Sequence, residues 1–141
     1  MDYTKYRDLV YKIIGAAMEV HGELGYGLLE PVYQEALSRE LSIRHIDNVR
    51  EKEIEIYYKG VKMDKFYKMD LVVDDIIVEL KAVESVASEH RAQLFNYLRL
   101  TQKPIGVLIN FGEKNLHSER YIYDKDTNEC YLVDKNLDPV E

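Results

Sequence analysis

The chain has 141 residues, 46% of them hydrophobic and 32% charged, with a net charge of −7. That is enough for one ordinary globular domain, residues 1–141, with its own core, and the acidity excludes a general nucleic-acid coat protein, which would be basic. The single cysteine, Cys130, excludes an internal disulfide, and the absence of a Cys/His cluster gives no reason to expect zinc.

The chain opens on MDYTKYRDLV, which is charged and lacks the apolar centre of a signal peptide. No apolar run reaches membrane-spanning length, so a cytoplasmic protein without membrane contact is expected. From Thr4 to about Leu24, Tyr6, Leu9, Val10, Ile13, Ala17, Val20, His21 and Leu24 recur at helical spacing and predict a helix with one buried stripe. Gly25 and Gly27 end it, because glycine enters the left-handed region of a helix terminus without cost. A second helix starts after Glu30 with Pro31 in its first turn, its inward face carrying Tyr33, Ala36, Leu37 and Leu41.

Glu53 to Tyr57 alternates at period two and predicts a half-buried strand. Lys59-Gly60 is a turn, and Val61–Val73 is a strand long enough to bend or bulge. Asp74-Asp75 predicts a tight, solvated hairpin tip, since aspartate tolerates turn angles. Ile76 to Val83 is a third strand, and Ser88 is expected to cap a helix that reaches about Leu100. KPIGVLINFG is a compact apolar strand with Pro104 at its start, and ERYIYDKDTNECYLV a final hairpin turning at Asp124 to Asn128. The order predicts an α/β fold: a mixed sheet flanked by helices.

Charges inside MDLVVDDIIVELKAV need a reason. If Asp74-Asp75 is a two-residue turn, Val73 pairs with Ile76, Val72 with Ile77 and Leu71 with Val78, and Asp70 falls opposite Glu79. Side chains so opposed are about 5 Å apart at Cβ, and two carboxylates there repel each other. A shared proton or a cation would relieve them. Lys81 leaves the same strand face as Glu79, while Val78 and Leu80 point to the core. Hard oxygen donors without cysteine suit Mg²⁺ or Mn²⁺, and a neighbouring lysine suits water activation or phosphate charge. The same spacing also describes a solvated sheet face with a cross-strand ion pair.

Other side chains have a plain use beside a functional one. Glu30 complements a helix N-terminus or delivers another carboxylate to the cluster. Gln93 and Tyr97 share a helix face that packs beside the acids or lies at the surface. His21 sits on or beside the buried stripe, as a core histidine or an additional site group. Arg91, Arg99 and Lys103 are surface charges or phosphate contacts, and the tyrosines are core residues or stacking faces.

GAAMEVHGELGYGLLEPVYQEAL, DLVVDDIIVELKAV, AQLFNYLRLT and IGVLINFG, in this order from about Tyr11 to Phe111, resemble the GxxExxY proteins of the PD-(D/E)xK nuclease-like superfamily. The naming motif is Gly27 to Tyr33, with Glu30 and Tyr33 at its fixed positions. The resemblance implies a restriction-endonuclease-like αβββαβ core, with an extra N-terminal helix and C-terminal edge strands. It implies a divalent metal held by Asp70, Glu79 and the Leu80 carbonyl with Glu30 nearby, Lys81 positioning the water, and Gln93 of a Gln-x-x-x-Tyr motif ending at Tyr97 ordering the site. Met69 stands where the superfamily's name has proline. The expected function is therefore a Mg²⁺- or Mn²⁺-dependent nuclease acting on DNA or RNA. The alternative is a non-catalytic member that binds protein or senses nucleic acid, and the edge after Tyr121 leaves room for a homodimer.

Overall fold

The computed structural model describes residues 2–140. Its elements are α1 (Thr4–Leu24), α2 (Glu30–Ile43), β1 (Val49–Tyr58), β2 (Val61–Val73), β3 (Ile76–Lys81), α3 (Ser88–Thr101), β4 (Ile105–Asn110), β5 (His117–Asp124) and β6 (Glu129–Val133). The six strands form one sheet in chain order, with β3 and β4 parallel and every other pair antiparallel. Helix α3 is the crossover that a parallel β3–β4 pair requires. This is the α/β fold, a mixed sheet flanked by helices, consistent with the restriction-endonuclease-like architecture.

Two apolar clusters cover the two faces of the sheet. Helices α1 and α2 bury Val10, Ile13, Ala17, Tyr33, Leu37 and Leu41 against Leu71, Val78, Leu80, Val107 and Ile109. Helix α3 buries Leu94, Tyr97 and Leu98 against Met69, Val72, Ile77 and Leu108. Strands β3 and β4 are thus buried on both faces, which explains their near-continuous apolar sequence. Gly25 and Gly27 take φ of 73° and 101°, so the chain turns between α1 and α2 where a side chain would be strained.

Several boundaries differ from the sequence expectation. Leu24 is exposed and Leu9 only half-buried, whereas Ile14 and Ala16 are buried: α1 packs on both α2 and the sheet, which widens its apolar stripe. Strand β1 begins at Val49, because its pairing with β2 extends to Val49↔Val72. Strand β3 ends at Lys81 rather than Val83, whose N–H and carbonyl are taken by the side chain of Asn110. Ser88 is the first helical residue of α3, not its cap; Ala87 is the cap, and its N–H donates to His90 Nδ1.

The Asp74-Asp75 turn is present, with Asp74 at φ 54°, but its acids are more than a solvated tip. Asp74 pairs with Lys5 at 2.7 Å, and Asp75 accepts the Tyr6 hydroxyl at 2.8 Å and faces Lys103 at 3.9 Å. The turn therefore fastens α1 to the sheet.

Candidate active site

The register expected from the turn is observed at Val73↔Ile76, Val72↔Ile77 and Leu71↔Val78, and there the β2–β3 ladder stops. Beyond it, side chains replace backbone partners. The Asp70 N–H donates to Glu79 Oε1 at 3.0 Å, and the Leu80 N–H donates to Asp70 Oδ2 at 2.8 Å. Asp70 and Glu79 thus stand next to each other across an interrupted ladder, each carboxylate holding the other strand's backbone.

Strand β2 is distorted at this point. Strict alternation would put Met69 and Leu71 on one face, yet Met69 packs on the α3 side and Leu71 on the α1/α2 side. Opposite Asp70, the β1–β2 pairing skips from Arg50↔Leu71 to Lys52↔Met69, and Glu51 adopts φ 49°. Such an irregularity re-aims one side chain, here Asp70, toward the gap beside β3.

Glu79 is only 3% exposed. Burial pushes its carboxyl well above the ordinary 4.5, the Asp70 charge adds to this, and the nearby Lys81 charge only partly opposes it. Lys81 Nζ lies 4.0 Å from Glu30 Oε2. The Glu30 carboxyl is also raised, by burial first, with Lys81 lowering and Asp70 raising it. Glu30, Asp70, Glu79 and Lys81 therefore share one electrostatic environment.

Helix α3 closes it from the other layer. Gln93 Nε2 donates to the Tyr97 hydroxyl at 3.0 Å. The Tyr97 phenol is pushed up to about 12 by burial and by the charges of Glu79 and Asp70. Gln93 thus shares a helix face with Tyr97, as the spacing anticipated, and it is the Tyr97 phenol that feels the charges of the two acids.

The Leu80 carbonyl lies on the same strand edge as its N–H, which points at Asp70, whereas the Lys81 carbonyl points the other way and accepts the Phe111 N–H at 2.8 Å. The Leu80 oxygen therefore faces the gap left by the ended ladder. Among the described residues no three His, Cys, Asp or Glu side chains stand close enough to hold a metal by themselves. The hard donors here are two carboxylates and one carbonyl, a set that suits an ion retaining several waters, as Mg²⁺ does.

Two candidates lie outside this cluster. His21 contacts the Glu113 carbonyl through Nε2 at 2.9 Å and tilts against Phe111. Tyr33 is fully buried, stacks on Phe111 at 4.6 Å, donates to the Gly25 carbonyl at 2.7 Å and accepts the Leu28 N–H at 3.1 Å. Its task is to fasten the turn that delivers Glu30. Neither ring reaches the acids by a hydrogen bond among the described residues.

Asn110 is the residue that sequence reading passed over. Its side chain holds Val83 by two hydrogen bonds and also bonds Gly112 N–H and Glu113, fixing the chain just after Lys81. A Cβ on Gly112 would sit 2.3 Å from the Val83 carbonyl oxygen, so only glycine allows this approach. A buried asparagine ending an apolar strand before Phe-Gly was the available signal.

Arg91 is not free to meet phosphate. It grips Glu119 with two bonds of 2.7 Å, and Tyr121 and His117 complete the carboxylate's shell at 2.6 and 2.7 Å. A separate cavity of about 640 Å³ lies by the Asp74-Asp75 turn, between Tyr6, Asp75, Lys103 and Tyr131, at the far end of the β2–β3 ladder from Asp70 and Glu79.

No helix among the described residues is long and apolar enough to cross a membrane. No curated protein and no solved structure matches the chain. The family model of the PD-(D/E)XK nuclease superfamily matches residues 7–121, from α1 through β4 into β5 and so across the whole cluster just described. On that match, over most of its length, the chain belongs to the PD-(D/E)XK nuclease superfamily.

Proposed function

We propose that this protein is a divalent-metal-dependent nuclease that hydrolyses phosphodiester bonds of DNA or RNA, working at Asp70, Glu79 and Lys81. The observation that carries this is the side-by-side placement of Asp70 and buried Glu79, where burial and like charge raise Glu79 and a cation would relieve both. The Gly27 to Tyr33 stretch supports a finer assignment to the GxxExxY proteins, with Glu30 delivered by the turn that Tyr33 fastens.

Asp70, Glu79 and the Leu80 carbonyl would hold Mg²⁺ or Mn²⁺, with Glu30 at the margin. Such an ion, when bound, supplies charge neutralisation at the scissile phosphate. Lys81 holds the attacking water by an N–H bond and offers its positive charge to the phosphate oxygens as negative charge builds on them. Glu30, 4.0 Å from Lys81 Nζ, helps to hold the ammonium in position. Gln93 donates to Tyr97, which leaves its amide oxygen free to accept from that water. Water adds to phosphorus, the bond to the leaving oxygen breaks, and protons are exchanged with solvent.

The test pairs metal binding with cleavage. Mg²⁺ or Mn²⁺ should raise Tm in a thermal shift, by about 2.7 kcal/mol of stability at a hundredfold excess over Kd. Labelled single-stranded DNA, duplex DNA and RNA should be screened for cut products with each metal. Lys81→Ala should fold with little change in Tm and lose on the order of 10²-fold or more in rate. Full cleavage by Lys81→Ala refutes its role; no metal shift and no cleavage make the chain a non-catalytic member that acts by binding.

A further inference from the structure

The β1–β2 hairpin runs past the cover of the helices, and its two faces differ in charge. On the face away from α3, the carboxylates Glu53, Glu55 and Asp64 are mixed with Lys62 and Lys68. Glu55 pairs with Lys62 at 3.3 Å and accepts the Tyr57 hydroxyl, and Glu53 is registered against Lys68. The α3-side face carries Lys52, Ile54 and Ile56 on β1 and Lys65, Tyr67 and Met69 on β2, with no carboxylate until Asp70. Beyond the irregularity between Glu55 and Tyr57, Tyr58 pairs with Val61, and alternation keeps both on this same face at the tip. Lys52 and Lys65 make no ion pair among the described residues.

This face leads into the candidate active site. Tyr67 is 50% exposed, and its ring centroid lies 5.7 Å from that of Tyr97, the phenol beside Asp70 and Glu79. Tyr58, 62% exposed, stands at the other end with Lys59 over its ring at 5.5 Å. From Val61 to Tyr67 the strand covers about 20 Å, room for a few nucleotides. The whole chain carries −7, so a phosphate chain is repelled generally, and a carboxylate-free strip of lysine and tyrosine is where it can be tolerated.

We infer that this strip, from Tyr58 to Tyr67, is the platform on which a single-stranded nucleic acid lies as it enters the site, with bases stacked on Tyr58 and Tyr67 and phosphates at Lys52 and Lys65. The inference rests on the nuclease reading for its direction, not for its surface. Exposed aromatic faces interleaved with unpaired lysines match the alternation of base and phosphate in one strand. A duplex keeps its base faces inside the stack and offers none to Tyr67. A second copy adding a strand to the open β1 edge is opposed by Lys52, Glu53 and the left-handed Glu51 on that edge.

The experiment is fluorescence anisotropy in EDTA, where no cutting occurs, with single-stranded DNA, single-stranded RNA and duplex DNA of one length. Wild type should bind a single strand more tightly than the duplex, and the two single-strand arms report whether the sugar matters. Tyr67→Ala and Tyr58→Ala should each weaken single-strand binding about tenfold. Lys52→Glu/Lys65→Glu should weaken it too and flatten its salt dependence. All four side chains are surface groups, so an unchanged Tm certifies the fold. Equal or tighter duplex binding, tyrosine variants that bind like wild type, or a dimer in sedimentation that Tyr58→Ala/Tyr67→Ala dissociates would each overturn the inference. The divalent thermal shift separates the two readings: Tyr58→Ala, at the hairpin tip, should lose single-strand affinity and keep the Mn²⁺ shift of the wild type. Single-strand binding lost in the tyrosine variants, in a protein that never cuts, leaves the platform standing and removes the nuclease.

Discussion

Glu79 and Glu119 are the same residue type at nearly the same burial, 3% and 8% exposed, and α3 packs over both. Their carboxyls move in opposite directions. Burial raises both. At Glu119 the hydrogen bonds from Arg91, Tyr121 and His117, with the Arg91 charge, overcome it and hold the carboxyl at about 2. At Glu79 the neighbour is another carboxylate, and the value stays well above 4.5. A buried acid whose shell is filled by the protein holds the structure together. One that faces another acid keeps a raised carboxyl, and a cation placed between the two would relieve it.

That contrast can be broken at its strongest point first. Arg91→Ala leaves Glu119 with Tyr121 and His117 alone, and should cost about 2 kcal/mol in chemical denaturation without altering any divalent-induced thermal shift. Tyr33→Phe keeps the stack on Phe111 but orphans the Gly25 carbonyl and Leu28 N–H. It should cost about 1.5 kcal/mol, and cleavage should fall as the turn carrying Glu30 loosens. Glu79→Gln should do the reverse of Arg91→Ala. Its amide oxygen still accepts the Asp70 N–H while the repulsion goes, so the metal-free protein should gain up to about 1 kcal/mol near pH 8 and lose its Mn²⁺ shift.

The same pair gives a pH profile for the metal-free protein. Glu79 is raised in the fold, so its contribution is fully present below about 4.5 and is lost as pH rises through its folded value. Glu119 is depressed, so its contribution is present above about 4.5 and is lost as pH falls toward 2. Tm measured against pH should therefore decline on both sides. Glu79→Gln should flatten the alkaline limb alone and Glu119→Gln the acid limb alone; the opposite assignment would reverse the reading of the two acids.

Much of the fold was legible because its signals are local. Period 3.6 marked α1 and α2, the Asp74-Asp75 turn set the β2–β3 register, and that register drew Asp70 toward Glu79. What sequence misjudged depends on distant partners. Val83 reads as strand, but Asn110, 27 residues on, takes its backbone. Arg91 reads as a free surface cation, but Glu119, 28 residues on, holds it. Asp74 and Asp75 form the partly exposed tip that was expected, but that α1 folds back to meet them with Lys5 and Tyr6 was not legible.

The sequence alone determined that Asp70, Glu79 and Lys81 fall near the open end of one hairpin, since turn length sets the register and alternation puts Glu79 and Lys81 on one face. Only the tertiary structure decided that the ladder breaks there, that β2 switches face between Met69 and Leu71, and that Glu79 is buried while its neighbour is an acid. Those features come from β1 and α3 closing over the hairpin, and the cost of placing charge in a low dielectric arises only once both layers are in place.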